Sequence, residues 1–265
     1  MIKLCPLCSG SSGNSVYIGV SQNSGLLVDI GVNTKRMELL LNENSIDVHS
    51  IRAILITHEH IDHVAGLKVF AKKYGVKVYA SEGTIASLRE KGVLTDKHDF
   101  EILSLKEKNL GFAGVRTFFT SHDCKQGTGY VISGADGESV AVCTDLGYIS
   151  EDVKQALCGC KSVVIESNHD VMMLQNGPYP YYLKRRILSD VGHLSNDACA
   201  EFLPYLVNRG TRNIVLSHLS EKNNIPELAR QTALYSFEKN SMKEKEDFNL
   251  FVAPKVNNNI IDFIF

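Results

Sequence analysis

Thr57-His58-Glu59-His60-Ile61-Asp62-His63 brings three histidines and an aspartate into six consecutive residues. The apolar run Ala53-Ile54-Leu55-Ile56 precedes it directly and predicts a buried strand, so the polar cluster lies at that strand's carboxyl end. Imidazole and carboxylate groups are ligands that zinc, manganese and iron accept. The first two histidines can bind one ion together. The aspartate and the last histidine lie beyond a turn and suit a second ion about 3.5–4 Å away.

The pattern His-x-His-x-Asp-His rarely arises by chance. For a chain of 265 residues with nine histidines, a coincidental match is expected in on the order of one chain in two thousand. The alternative is a polar loop with coincidental histidines. Desolvating four such groups without a metal carries a large free-energy cost, which favours the metal-binding interpretation.

This motif, placed after a hydrophobic strand, resembles the signature of metallo-β-lactamase-fold hydrolases. The order of the later ligand candidates, described below, is similar to the YycJ/WalJ branch of that superfamily, which is related to RNase Z and RNase J type nucleases. The likeness extends from Ser9-Gly10-Ser11-Ser12-Gly13-Asn14-Ser15 to Ser217-His218-Leu219-Ser220. It implies an α/β fold, the αββα sandwich, in which two mixed β-sheets pack face to face between flanking helices.

Composition indicates an ordinary globular protein with enough apolar residues for a large core. Hydrophobic residues make up 44% and charged residues 22% of the chain, and we expect a single domain over residues 1–265. A net charge of -2 provides no global basic field, although a local basic groove remains compatible with it. The absence of a long apolar run or a signal-peptide pattern predicts a cytoplasmic protein without membrane contact.

The seven cysteines are expected to be reduced, since their number is odd and no secretory pattern accompanies them. Cys5-Pro6-Leu7-Cys8 matches a zinc-knuckle or redox pair, but small buried residues of a first strand are the alternative that we favour.

Strands and helices are predicted to alternate along the chain. Helical spacing of apolar residues predicts helices over residues 62–74, 84–91, 196–208 and 226–239. Apolar and alternating runs predict strands that include residues 100–105, 112–120, 250–253 and 260–265.

Three further candidate ligands each follow an apolar strand. His122 follows Phe118-Phe119, Asp145 follows Val140-Ala141-Val142-Cys143, and His218 follows Ile214-Val215-Leu216. Strand carboxyl ends are where open α/β sheets bind ligands, so these side chains converge if the strands are neighbours. The alternative is that each is a satisfied core or turn residue.

The resemblance implies two ligand sets and a bridging carboxylate. His58, His60 and His122 are then expected to bind the first ion, Asp62, His63 and His218 the second, and Asp145 both. The metals are expected to be Zn²⁺, Mn²⁺ or Fe, since each tolerates such a site. His49 and His98 are predicted to be surface residues, and His169, near Glu166, is left open.

Two further residues are candidates for catalysis beside Asp62, which can receive a proton. His193 lies in Val191-Gly192-His193-Leu194-Ser195, before a predicted helix. In the related phosphodiesterases a similar loop histidine contacts the scissile phosphate or assists the leaving group, and the resemblance implies this role here. A helix-capping loop is the alternative. Glu166 resembles a glutamate of these enzymes that can orient the histidine.

Candidate substrate-binding residues come from two regions. Ser12 and Asn14 belong to a Gly/Ser-rich turn whose backbone N–H groups can bind phosphate, unless it is a plain strand connection. Lys184 and Arg185 lie beside tyrosines 179, 181 and 182, where aromatic rings can stack on bases next to positive charge. A solvated helix face is the alternative there.

These expectations together predict a two-metal phosphodiester hydrolase, specifically a nuclease, that uses a metal-bridging hydroxide. The resemblance implies a 5′→3′ exonuclease acting on DNA rather than RNA. Between Asp145 and His218 the chain is too short for the large inserted domain of RNase J, and it lacks the long arm of the transfer-RNA enzymes. The alternatives are a cyclic phosphodiesterase, a thioesterase of glyoxalase II type, or a non-catalytic metal-binding regulatory partner. The oligomeric state is not indicated by the sequence.

Overall fold

A computed structural model describes residues 2–258 of the chain. The predicted strand over residues 260–265 lies outside the described residues. Two mixed sheets account for the strands, and the first contains, in spatial order, β1 (Lys3–Cys8), β2 (Ser15–Ser21), β3 (Ser24–Val28), β4 (Ile51–Ile56), β5 (Lys77–Ala80) and β6 (Phe100–Ile102). Strands β1 to β3 pair antiparallel, and β3 to β6 pair parallel.

The second sheet repeats this arrangement. Its strands are β7 (Lys108–Asn109), β8 (Gly114–Phe119), β9 (Thr128–Ser133), β10 (Ser139–Cys143), β11 (Ser162–Glu166), β12 (Asn213–Ser217) and β13 (Asn249–Val252), again in spatial order. Strands β7 to β10 pair antiparallel and β10 to β13 pair parallel. In each sheet the parallel half carries the helical crossovers, as parallel connections require.

Helices cover the outer face of each sheet. Against the first sheet lie α1 (Thr34–Glu43), α2 (Ile61–Val64), α3 (Leu67–Tyr74) and α4 (Glu82–Glu90). The remaining helices are α5 (Glu151–Leu157), α6 (Val171–Asn176), α7 (Tyr181–Ile187), α8 (Asn196–Asn208) and α9 (Pro226–Lys239), of which α5, α8 and α9 pack on the second sheet. This αββα sandwich confirms the predicted fold class.

Side-chain alternation along the strands produces three apolar layers. In β11, Val164 points between the two sheets, whereas Val163 and Ile165 point toward the outer helices. The buried Tyr130 hydroxyl donates a hydrogen bond of 2.5 Å to the Ile56 carbonyl, which joins the sheets next to the end of β4. That contact holds the loop after β4 against the second sheet.

Several predicted bounds are wrong for identifiable reasons. The helix predicted over residues 62–74 is broken between α2 and α3. The Gly66 N–H donates to the Ile30 carbonyl at 3.0 Å and the Asp62 carbonyl accepts from the Asn14 N–H at 2.8 Å, so these two groups do not form the helical hydrogen bond with each other. The strand predicted over 112–120 begins at Gly114 and pairs with the unpredicted β7. Helix α4 starts at Glu82 rather than at 84, since the Ser81 hydroxyl accepts from the Thr84 N–H and caps it.

Other predictions hold. Helices α8 and α9 have the predicted bounds, and Ser195 caps α8 through its hydroxyl. Helix α6 was not predicted, and α7 was considered only as the alternative interpretation of the segment that carries Lys184 and Arg185. Cys5 and Cys8 are buried residues of β1, in keeping with a structural role. Among the described residues, no helix is both long and apolar enough to cross a membrane.

Candidate metal centre

The site forms where four strands end at the same edge of the sandwich. His58 follows β4, Asp145 follows β10 and His218 follows β12, while Asp29 follows β3. Three of these residues have left-handed backbones, with φ of 63° at Asp29, 60° at Asp145 and 57° at His218. Such conformations are uncommon for residues other than glycine and cluster at functional sites. Each one turns the chain sharply at the strand end.

The three residues predicted to bind a first ion lie together. His58, His60 and His122 can each direct a ring nitrogen into a space in which these atoms lie within 4.8 Å of one another. His58 Nε2 and His60 Nδ1 are 3.0 Å apart. The His122 Nδ1 lies 3.0 Å from the Gly192 carbonyl oxygen, so it donates there and leaves Nε2 as the free, electron-donating nitrogen.

The second predicted set also converges. Asp62, His63 and His218 form another group of candidate ligand atoms within 4.8 Å of one another. His63 Nδ1 donates to the Asp29 carboxylate at 2.8 Å, which fixes the ring so that Nε2 faces the Asp62 and Asp145 carboxylates, at 3.5 and 3.3 Å. This pattern is the one that a metal-binding histidine with a supporting carboxylate shows.

Asp145 lies between the two sets. Its carboxylate oxygens lie within 4.8 Å of candidate ligand atoms of two groups. One group contains His58 and His63, and the other contains His218, His193 and Glu166. Its Oδ2 atom is buried without a hydrogen bond, and so is His218 Nε2. Burying a carboxylate oxygen and an imidazole nitrogen unpaired is costly, so these atoms fit a site that a cation completes. The donor set of histidines and aspartates suits divalent zinc, manganese or iron.

Glu166 connects the ligand cluster to the predicted catalytic loop. Its fully buried carboxylate contacts His193 Nδ1 at 2.8 Å and His218 Nδ1 at 2.7 Å through Oε1. The Oε2 atom accepts from the backbone N–H groups of Leu146 and Leu194, at 3.0 and 3.1 Å. Glu166 therefore orients the two histidine rings and fixes the loops after β10 and before α8.

Electrostatics in this cluster follow from burial and opposite charge. Burial acts to raise the pKa of Glu166, but the neighbouring His193 and His218 lower it to about 2. Burial acts to lower the pKa of His193, yet the Glu166 carboxylate raises it above the ordinary histidine value. Glu166 is therefore ionised across the physiological range, and it favours the protonated form of His193.

An open cavity of about 240 Å³ exposes one side of this cluster. The lining includes six of the predicted residues, namely His60, Asp62, His122, Asp145, His193 and His218. His58 and His63 are buried at 1% and 0% exposure and lie beneath this surface. His169, whose role the sequence left open, is buried and belongs to none of the ligand groups found in residues 2–258.

The predicted substrate-binding residues are placed differently from the ligands. Asn14 is buried, and its Nδ2 lies 3.3 Å from Asp62 Oδ2 and 3.1 Å from His63 Nε2, so it contacts the ligand cluster. Ser12 does not line the cavity, whereas its neighbour Ser11 does. Lys184 and Arg185 are also outside the lining.

Sequence reasoning missed Asp29 and Asp123. Asp29 accepts three hydrogen bonds of 2.8 Å, from the Thr57 N–H, the Thr57 hydroxyl and His63. A polar residue directly after the apolar strand Leu26-Leu27-Val28 was the available signal, the same one that identified Asp145 and His218. Asp123 lies with its Oδ1 atom 3.4 Å from His122 Nε2 and carries no comparable signal.

Comparison with known proteins agrees with this fold. A family model described as a beta-lactamase superfamily domain matches residues 26–219, and the chain belongs to this superfamily, whose fold is that of metal-dependent hydrolases. Among solved structures, the metallo-beta-lactamase fold protein YhfI from Bacillus subtilis superposes with a TM-score of 0.72 at 15% identity, covering 96% of this chain and 97% of that one. That likeness concerns the fold alone.

Curated relatives define the branch within the superfamily. The chain is 38% identical to the exodeoxyribonuclease YycJ of Bacillus anthracis over 92% of each chain. It is 39% identical to the exodeoxyribonuclease WalJ of Streptococcus pneumoniae over 94% of this chain and 93% of that one. Identity at this level over nearly the whole length places the chain in the YycJ/WalJ-like branch, as the sequence motif predicted.

Proposed function

We propose that the protein is a divalent-metal-dependent nuclease, a 5′→3′ exonuclease acting on DNA. The observation that carries this proposal is His193, which is hydrogen-bonded to Glu166 and lines the same open cavity as the candidate metal ligands. Its relatives of 38–39% identity bear the name exodeoxyribonuclease, which supports DNA as the substrate. The 5′→3′ direction is the one that the sequence resemblance implies.

We divide the proposed ligands between two ions according to which candidate ligand atoms lie close together. His58, His60 and His122 would hold one divalent ion, Asp62, His63 and His218 a second, and Asp145 would contact both. Such ions supply a nucleophilic water at neutral pH and neutralise charge on the phosphate oxygens.

His193 is proposed to donate a proton to the departing oxygen of the phosphodiester. Its Nδ1 atom is hydrogen-bonded to Glu166, so Nε2 is the nitrogen available to the cavity. The Glu166 carboxylate raises the pKa of this imidazole above the ordinary histidine value, which favours the protonated form that a general acid requires. Glu166 acts through His193, because its own oxygens are fully engaged beneath the cavity.

Asp62 is proposed to have two functions, as a ligand and as a proton acceptor. Its side chain is 22% exposed, while that of Asp145 is 3% exposed, so Asp62 is the more accessible of the two carboxylates that line the open cavity. The Asn14 amide supports it from the buried side at 3.3 Å.

A substrate panel tests the proposal. Purified protein is incubated with Mn²⁺ and with single- and double-stranded DNA and RNA labelled at either end, with bis(p-nitrophenyl) phosphate, and with a thioester. We expect DNA to be degraded, with 5′-labelled mononucleotides released before the 3′ label shortens to small products. Cleavage of the small diester or of the thioester alone would contradict the nuclease assignment, and faster cleavage of RNA would contradict the preference for DNA.

Glu166→Gln is the matched variant for the role of His193. It keeps the side-chain volume and removes the charge that raises the pKa of the imidazole. The pKa of the general acid should then fall, so the high-pH limb of the kcat profile moves to lower pH. An unchanged profile would exclude His193 as the general acid.

A further inference from the structure

Arg186 is the single lysine or arginine among the described residues that line the metal-centre cavity. Its Nε donates a hydrogen bond to the Asp123 carboxylate, and its side chain remains 49% exposed. Within residues 2–258, none of its hydrogen bonds uses a terminal Nη atom. The two Nη groups therefore remain available to a ligand in the cavity.

The segment that carries Arg186 is fixed to the loop that carries His122. The Asp123 N–H donates to the Val191 carbonyl at 3.1 Å, and His122 Nδ1 lies 3.0 Å from the Gly192 carbonyl. Gly192 packs so closely against α7 that a Cβ there would lie 2.4 Å from the Arg186 carbonyl oxygen. These contacts therefore fix the backbone of α7 at Arg186 relative to the candidate ligands, and the Asp123 carboxylate holds the guanidinium through Nε.

The two preceding cations do not share this position. Lys184 Nζ donates to the Gln175 carbonyl at 2.8 Å, and Arg185 lies over the Tyr181 ring at 5.9 Å from its centroid. Consecutive residues of a helix point in directions about 100° apart, so three adjacent cations cannot face one cavity together. Of the three basic residues of α7, Arg186 is the one directed to the site.

We propose that Arg186 binds the phosphate group adjacent to the scissile one in a bound DNA strand. This inference rests on the proposed nuclease function. The scissile phosphate would bind beside the metal ligands. The Asp123 carboxylate lies between the Arg186 guanidinium and the His122 ring, so the guanidinium is positioned for the neighbouring phosphate and not for the reacting one. A guanidinium offers a planar pair of N–H donors that matches a phosphate, and Asp123 holds that plane in one orientation.

This contact would make the enzyme selective for a polymer over an isolated diester. The remaining charged residues of the cavity lining are candidate ligands, histidines or carboxylates, so a second phosphate finds no other permanent cation there among the described residues. A strand with successive phosphates engages Arg186, whereas a substrate with one phosphate does not reach it.

Binding measurements on four variants test the inference. The variants are Arg186→Gln, Arg186→Ala, Lys184→Ala and Arg185→Ala, the last two removing the same charge from the same helix. Affinity for a fluorescein-labelled single-stranded DNA is measured by anisotropy in EDTA, where turnover is absent, at several salt concentrations. Circular dichroism and Tm show whether each variant is folded. If Arg186→Ala is not folded, Arg186→Gln is used in its place.

Loss of Arg186 should weaken DNA binding roughly 10–100-fold, since a charge-assisted hydrogen bond to phosphate is lost. The slope of log K against log salt should become shallower by about 0.7, the contribution of one phosphate contact to a single strand. Lys184→Ala and Arg185→Ala should each weaken binding less than threefold. The loss should be the same for DNA of different sequence, because a phosphate contact carries no base information.

Two results would overturn the inference, and they differ from each other. If the wild-type protein degrades DNA and Arg186→Gln matches Lys184→Ala in affinity and salt slope, the Arg186 contact is wrong while the nuclease function stands. If the wild-type protein neither binds nor cleaves DNA but hydrolyses bis(p-nitrophenyl) phosphate, the proposed function and the inference both fail.

Discussion

Asp29→Asn tests whether a residue outside the proposed ligand set controls metal binding. Asp29 receives hydrogen bonds of 2.8 Å from the Thr57 N–H at Oδ1 and from the Thr57 hydroxyl and His63 Nδ1 at Oδ2. Asparagine has the same shape and also tolerates the left-handed backbone at this position. The substitution therefore changes the charge and one hydrogen-bonding group, and leaves the packing in place.

The expected effect depends on the hydrogen-bonding groups that face Asp29. The Thr57 N–H can only donate, so the amide oxygen of the introduced asparagine must accept from it. The new NH₂ group then faces His63 Nδ1. His63 must then carry its proton on Nε2, the atom that faces Asp62 and Asp145 and that we propose as the metal ligand. Losing such a supporting carboxylate typically lowers metal affinity 10–100-fold, about 1.4–2.8 kcal/mol.

Competition with a chromogenic chelator measures the affinity of each zinc ion in the wild-type and Asp29→Asn proteins. Asp47→Asn is the matched control, because Asp47 is an exposed carboxylate that accepts a 2.9 Å hydrogen bond from the His49 N–H, remote from the site. We expect one of the two affinities to fall at least tenfold in Asp29→Asn and neither to fall in the control. Affinities within twofold of wild type for both ions would refute the reasoning.

Four further predictions concern the role of Asp62, the stabilisation by metal, the packing at Gly31 and the role of Asp123 in DNA binding. Asp62→Ala should abolish DNA cleavage in Mn²⁺ while far-UV circular dichroism stays unchanged, and full activity would exclude Asp62 from the mechanism. EDTA should lower the Tm by about 5 °C or more, and added Zn²⁺ or Mn²⁺ should restore it, since ions that bind the folded state alone stabilise it; a Tm insensitive to metal would argue against a bound ion. Gly31→Ala should cost about 1–3 kcal/mol of unfolding free energy in denaturant titrations, because its Cβ would lie 1.8 Å from the Asp62 carbonyl oxygen. Gly114→Ala should cost less, because the only atom within 3 Å of its Cβ would be the end of the flexible Glu107 side chain, at 2.9 Å; equal costs would contradict the overpacking. Asp123→Asn should weaken DNA binding in the wild-type background and have little further effect in Arg186→Ala, as a double-mutant cycle would show; additive losses would mean that the two side chains act separately.

The proposed ligands were predictable because their signal is local. Each of His58, Asp145 and His218 follows an apolar strand, and strand ends that meet at one edge bring them together if the strands are neighbours. The division into two ligand sets came from the family resemblance. The pairing of Glu166 with His193 was also predicted, and the structure places their atoms 2.8 Å apart. The assignment of these residues to particular ions stays a prediction.

The remaining features depend on tertiary contacts that no local pattern encodes. The helix breaks at Gly66 because its N–H donates to Ile30 and the Asp62 carbonyl accepts from Asn14, and both partners are distant in sequence. The contact of Asn14 with Asp62 was not predicted, and it arises because the turn after β1 packs against the loop that carries Asp62. The three cations of α7 are indistinguishable in sequence, and the contacts of Asp123 with one of them separate Arg186 from its neighbours.

The seven side chains from residue 58 to residue 218 are proposed to hold a pair of divalent ions, and anomalous diffraction tests this most directly. Crystals grown with Zn²⁺ or Mn²⁺ are measured at the absorption edge of that metal. We predict two anomalous peaks in each chain, one among His58, His60 and His122 and the other among Asp62, His63 and His218, with Asp145 in contact with both. A single peak, or peaks outside this cluster, would contradict the two-metal site and the phosphodiester chemistry that depends on it.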